Sequence, residues 1–246
     1  MRREVLEAAG LLAAAAAAWI VVAVQAGGMA AAPGTMGLSA AAFLGLWVVM
    51  MAAMMLPGLA PIGALYAGQG AGMAARGTGL VAGYLIAWAG FGVLALLASV
   101  AASRLADRSD SVATWVAGAL LVAAGVYQLT PLKDRCLAIC RSPLHLLMRA
   151  GSYHGRLRHV RAGLYHGAYC VGCCWSLMLA LLVLGVMDLR WMAAFTVGIV
   201  LEKVWRFGRR VAIAMGIALV VLGLLAPWQP GIVPGFHRAP MSMESM

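Results

Sequence analysis

Seven stretches of the chain are almost wholly apolar: about 5–26, 39–62, 79–102, 112–131, 168–187, 191–207 and 211–227. Each meets or approaches the roughly 20 residues that an α-helix needs to cross a hydrocarbon core about 30 Å thick. The connections between them are short and rich in Gly and Pro, apart from one basic stretch at 132–167. No alternating strand pattern occurs, and helix is one of the two structures that satisfy the backbone in lipid. The pattern predicts an all-α fold, a polytopic transmembrane helical bundle of about seven spans. It forms a single integral membrane domain over 1–246, with a basic cytoplasmic loop at 132–167 and a flexible tail at 228–246. The first stretch follows Arg2 and Arg3 and ends near Val24-Gln25-Ala26, as a signal peptide would. At 22 residues it is longer than a usual signal-peptide core and is read as a span.

Composition agrees with the pattern. The 246 residues are 64% hydrophobic and only 11% charged, with a mean hydropathy of +0.93. Soluble domains run at about 45–50% apolar and about 25% charged, so too few polar side chains exist here to cover a water-facing surface. Five cysteines are too sparse for a disulfide scaffold.

The formal net charge is +10, from 18 Lys+Arg and 8 Asp+Glu. In a soluble protein that excess would suggest nucleic acid; in a membrane protein it first suggests orientation, because basic residues are retained in cytoplasmic loops. With the N-terminus inside, the cytoplasmic segments hold thirteen of the basic residues: Arg2, Arg3, Arg76, Lys133, Arg135, Arg141, Arg149, Arg156, Arg158, Arg161, Arg206, Arg209 and Arg210. The opposite side holds Arg104, Arg108, Arg190 and Arg238, and Lys203 lies within a span. The bias predicts a multi-pass protein of the bacterial inner membrane, N-terminus in and C-terminus out. The basic loop lacks interleaved aromatics and any recognition module, which argues against nucleic acid. Its arginines, Arg149, Arg156, Arg158 and Arg161, suit anionic lipid headgroups instead, making the bilayer the first partner.

That orientation gathers the chemistry. Cys136 and Cys140 lie just beyond the fourth span, and Cys170, Cys173 and Cys174 lie at the start of the fifth, so all five emerge at one interface, predicted to be the reducing cytoplasmic one. Soft-metal ligation then outranks disulfide formation. Cys136 and Cys140 are four apart, and His166, Cys170, Cys174 and Met178 form a run of i,i+4 steps with Cys173 beside it, so each set shares a helix face. Imidazole, thiolate and thioether together favour Cu(I); the first two also suit Zn(II). Basic residues at the interface are expected to lower the thiol pKa values. The bland alternative is that buried Cys and Met simply pack.

Met50, Met51, Met54 and Met55 in the second span stack as 50/54 and 51/55 pairs, either filling the core or lining a route toward the thiolates. Pro57 and Pro61 are expected to break the inner end of that helix. Glu202 is an intramembrane carboxylate and a functional candidate by default. It is placed as a metal ligand or proton acceptor, or else in a pair with Arg206, while Lys203 is expected to snorkel to the interface. His145, His154 and His159 read mainly as solvated or lipid-facing, and the tail with His237, Met241, Met243 and Met246 as a weaker copper-capture element. Cys170-Val-Gly-Cys173 is formally a CxxC, so a membrane thiol-disulfide oxidoreductase stays open, as does a structural assembly subunit.

The same residues carry a resemblance. Val-Met-Met-Ala-Ala-Met-Met-Leu-Pro at 49–57, Gly83-Tyr-Leu-Ile-Ala-Trp88 with Phe91, and Tyr127-Gln-Leu-Thr-Pro-Leu-Lys133 leading into Cys136-xxx-Cys140-Arg-Ser-Pro143 match one pattern. So do Gly163-Leu-Tyr-His166-Gly167-xx-Cys170-x-Gly172-Cys173-Cys174-Trp175-x-Leu-Met178 and Glu202-Lys203. Over about 43–223 the chain resembles the bacterial predicted metal-binding integral membrane proteins, a family of unknown function in which some members carry a copper-chaperone label. The resemblance implies a helical membrane fold and metal handling, and the ligand chemistry puts Cu(I) ahead of Zn(II). A copper-dependent client or a soluble metallochaperone would be the natural partner.

Overall fold

The computed structural model describes residues 2–28, 35, 37–69 and 72–236. Of the tail predicted flexible at 228–246, the part with His237, Met241, Met243 and Met246 lies outside the described residues, whereas 228–236 fold back on the bundle, with Val233 and Phe236 buried and the Gly235 amide donating to the Val183 carbonyl. Helix dominates and no strand occurs among the described residues. In chain order the helices are α1 (Arg2–Gly28), α2 (Ala40–Ala67), α3 (Met73–Arg108), α4 (Asp110–Gln128), α5 (Pro131–Cys140), α6 (Pro143–Gly151), α7 (Arg158–Leu184), α8 (Leu189–Val204) and α9 (Gly208–Leu225).

Six of these, α1, α2, α3, α4, α7 and α9, are long and apolar enough to cross a membrane. The seventh expected span differs: α8 has 16 residues, about 24 Å at 1.5 Å per residue, short of the hydrocarbon thickness. Proline does not end α2 where expected, since the helix runs through Pro57 and Pro61 to Ala67. Neighbouring helices hold such a helix together in a bundle even though each proline removes one backbone donor.

The basic connection at 132–167 is largely helical. Thr130 accepts from the Lys133 amide ahead of Pro131, and Ser142 accepts from the His145 amide ahead of Pro143. Each is a hydroxyl cap followed by proline at the first helical position, where its fixed φ and missing N–H cost nothing. α7 then starts at Arg158, well before the apolar run begins. Cys170 therefore lies about 18 Å along that helix, in its middle rather than at its start.

Small residues set the tightest crossing. A Cβ on Gly83 would collide with the Val160 carbonyl, and one on Gly163 with the Leu80 carbonyl. At Gly167 it would stand 2.7 Å from the Ala87 Cβ. With no side chains in the way, the α3 and α7 backbones approach closely and gain dispersion contacts along the crossing. The same crossing brings Tyr84 of α3 to Cys170 of α7. On the outside of the bundle α1 lays Leu11, Ala15, Ala18 and Val22 against the core and leaves Val5, Ile20 and Val24 exposed.

Candidate metal centre

Four sulfurs meet between α5 and α7. Helix α7 supplies Cys170, Cys173 and Cys174, and the last residue of α5 supplies Cys140. The Sγ atoms of Cys140, Cys170 and Cys173 all lie within 4.8 Å of one another. Cys173 Sγ is 3.7 Å from Cys140 Sγ and 3.3 Å from Cys174 Sγ. All four side chains are fully buried, and all five cysteines of the chain are free thiols. Two contacts dock α5 and the end of α4 on α7: Cys136 Sγ packs over Gly172, and the Tyr127 hydroxyl donates to the Gly172 carbonyl at 2.5 Å. Cys136 thus occupies the Gly172 side, half-buried, and the cluster takes Cys140. Burial pushes the Cys136 thiol above its ordinary value, the reverse of the lowering expected from interface arginines.

Two polar groups converge on Cys170. The Lys203 ammonium lies 3.0 Å from Cys170 Sγ, and the Tyr84 hydroxyl lies 2.9 Å from the same atom. Lys203 is buried rather than snorkelling, because its stem runs across α2 at Gly58, where an added Cβ would sit 2.8 Å from the lysine Cδ. Glu202, one residue earlier, points elsewhere. Both its oxygens accept from Lys133 Nζ at 2.8 Å, and Lys133 also donates to the Gln128 side chain. Glu202 was read as a metal ligand or proton acceptor, or else a partner of Arg206; α5 instead folds back and delivers Lys133, itself fully buried, to its carboxylate. Desolvating two ions costs several kcal/mol each, so this pair persists only because its geometry and the extra Gln128 contact offset that cost.

The remaining predicted ligands are all buried. His166 is buried one turn before Cys170, its ring 6.1 Å from that of Tyr84. Met178 is buried one turn beyond Cys174, about 6 Å farther along α7. Met50, Met51, Met54 and Met55 are all fully buried in the part of α2 that leads to Gly58. His145 stacks on Tyr165, and His159 pairs with the Tyr66 hydroxyl at 2.7 Å, so neither is merely solvated. Tyr84 and Lys203 are the site residues that spacing did not single out as touching sulfur. A lysine inside an apolar run was the only available signal for the second.

The donor set fits a soft ion. Around a metal bound through sulfur at about 2.3 Å, ligand sulfurs stand about 3.8–4.0 Å apart in trigonal or tetrahedral arrangements. The Sγ–Sγ separations of 3.3 and 3.7 Å lie just below that range.

Comparison with known proteins gives one family. A family model described as PpoB2, copper chaperone, matches residues 44–226, which takes in all five cysteines and extends from α2 to the end of α9. No curated protein and no solved structure matches the chain.

Proposed function

The chain belongs to the PpoB2 copper chaperone family, and from that premise we propose that it is a membrane-embedded carrier of Cu(I). The observation that carries the proposal is the buried group of Cys140, Cys170 and Cys173 sulfurs within 4.8 Å, with Cys174 in contact. Thiolates beside thioethers select Cu(I) over Zn(II), since zinc takes sulfur from cysteine but not from methionine. His166 and Met178 serve as flanking ligands on the same helix face. Lys203 offsets the negative charge that bound thiolates bring into the bundle. The six long apolar helices support residence in a bilayer, and the bias of basic residues supports the bacterial inner membrane with the N-terminus in the cytoplasm. Cys170 and Cys173 are fully buried beside Cys140 and Cys174, and four gathered sulfurs, more than a redox pair uses, favour metal carriage over disulfide exchange. A copper-dependent client or a soluble metallochaperone would receive or supply the ion.

Metal analysis of the purified full-length protein after anaerobic incubation with Cu(I) tests this reading. After a chelator wash that strips weakly held ions, wild type retains about one Cu(I) per chain, and a variant with Cys140, Cys170, Cys173 and Cys174 all changed to Ser loses it. Equal copper in the two proteins would end the proposal.

A further inference from the structure

A second feature lies at the far end of α2. A small cavity of ≈ 10 Å³ is lined by Phe43, Leu46, Trp47, Met50, Val186 and Met187. That is room for about one water-sized body. Its walls come from the start of α2 and from the turn that follows α7. The Trp47 indole N–H is already given to the Trp88 carbonyl at 3.1 Å, so it cannot serve a guest. What the lining side chains can offer an ion is two thioether sulfurs and aromatic faces. Such a set rejects hard cations, which demand oxygen, and accepts a soft monovalent one. Met187 is half-buried and reaches the surface, whereas Met50 is fully buried.

Buried methionines run along α2 from the cavity toward the part of the helix that faces Lys203. Eight residues along α2 from Met50 is Gly58, where the helix meets the Lys203 stem that reaches Cys170. That interval is about 12 Å at 1.5 Å per residue. Met51, Met54 and Met55 fall inside it, each fully buried. We infer that the Met50–Met187 cavity is a second, weaker soft-metal site, where Cu(I) enters or leaves the protein on its way to or from the cysteines. The inference rests on the proposed carriage of Cu(I). It adds a mouth, at the end of the bundle where α2 begins and α7 ends, with Met187 as its outer ligand. A thioether is a neutral and weaker donor than a thiolate, so an ion at the mouth moves inward down a gradient of increasing affinity.

Ag(I), a d10 ion with the same ligand preference and no redox chemistry, is the probe. The experiment uses full-length protein in lipid nanodiscs, with tryptophan emission and bound silver as readouts. A variant with all five cysteines changed to Ser is expected to keep one Ag(I) whose binding quenches Trp47. Adding Met50→Leu and Met187→Leu removes that equivalent and that quenching. In the native cysteine background the same two methionine changes leave final loading of the cysteines at the wild-type stoichiometry, which reports an intact fold, and slow loading at least tenfold. Met187→Leu alone, at a half-buried position with volume conserved, produces part of that slowing. Equal Ag(I) stoichiometry in the five-Ser protein with and without the methionine changes would overturn the mouth, as would unchanged loading rates. Either result leaves the cysteine site standing if wild type still outbinds the five-Ser protein. Equal binding by those two would instead remove the proposed function.

Discussion

Replacing Lys203 by Met separates the charge at the metal centre from its packing. Met fills the same channel across Gly58 but removes the ammonium that stands 3.0 Å from Cys170 Sγ. At an effective dielectric of about 20, a unit positive charge 3 Å from a thiolate contributes about 5 kcal/mol of attraction. Burying the ammonium costs several kcal/mol against that. The net value sits near that of a hydrogen bond to a charged group, about 1.5–3 kcal/mol. Because the binding free energy changes by about 1.4 kcal/mol per tenfold in affinity, Lys203→Met should weaken Cu(I) binding roughly 10- to 100-fold. The metal-free protein should be no less stable, since the variant also sheds a desolvated ion. The assay is anaerobic competition against a chromophoric Cu(I) chelator, with thermal unfolding of the same samples. Lys203→Arg, which keeps the charge, should fall between the two. Affinity within threefold of wild type for Lys203→Met would refute the reasoning.

Three further outcomes follow from other parts of the bundle. Lys133→Met strands the Glu202 carboxylate in the interior and should cost about 3–5 kcal/mol, whereas Lys133→Met with Glu202→Met should recover most of it; additive losses in thermal unfolding would contradict a paired role. Gly83→Ala drives a methyl into the Val160 carbonyl and should destabilise by about 1–3 kcal/mol, while Gly10→Ala, with open space around it, should leave the unfolding temperature unchanged or slightly raised. Cys136, whose thiol is raised by burial, carries little thiolate near neutral pH. Its maleimide labelling should climb about tenfold per pH unit to above the usual cysteine value near 8.5, and a plateau below that pH would show an ordinary thiol. Cys136→Ser should leave the copper stoichiometry intact.

Much of this architecture was legible because most of its helices are long and apolar. The places where sequence reasoning slipped are those where polar residues interrupt the pattern. Arg158 and Arg161 lower the hydropathy of the first turns of α7, so the apolar window starts too late and the cysteines seem to sit at a boundary. The caps at Thr130-Pro131 and Ser142-Pro143 were local signals for helix in a stretch whose charge read as loop. Spacing grouped His166, Cys170, Cys174 and Met178 on one face because a helix has one period everywhere. It could not choose between Cys136 and Cys140, which share a face of α5. That choice depends on how α5 docks, and docking is decided by Gly172 and Tyr127, residues outside α5. Likewise the Glu202-Lys203 dipeptide announces buried charge, but only the positions of Lys133 and Cys170 show that the two side chains serve different partners.

That divergence is the physical core of the centre. Consecutive residues on a helix project about 100° apart, so Glu202 turns toward α5 and Lys203 toward α7. Lys133 and Glu202 cancel formally, leaving Lys203 as one positive charge beside the sulfurs. An ion held by two thiolates as Cu(I) carries one negative charge and makes the layer neutral. The same Cu(I) held by three thiolates carries two and leaves one uncompensated, which a low-dielectric interior opposes. On the proposed reading, the four gathered sulfurs are therefore more than a resting Cu(I) complex would use. The surplus has a use in transfer: a third thiol approaching before the first departs lets the ion change ligands without ever being bare. A site built only to hold copper would gain nothing from a spare donor, whereas a site that must give the ion up lowers its exchange barrier with one. Freezing the spare by Cys174→Ser should then leave affinity within about threefold, since two-thiolate binding persists, yet slow transfer of Cu(I) to a thiol acceptor at least tenfold. Unchanged transfer kinetics together with unchanged affinity would mean that Cys174 only packs.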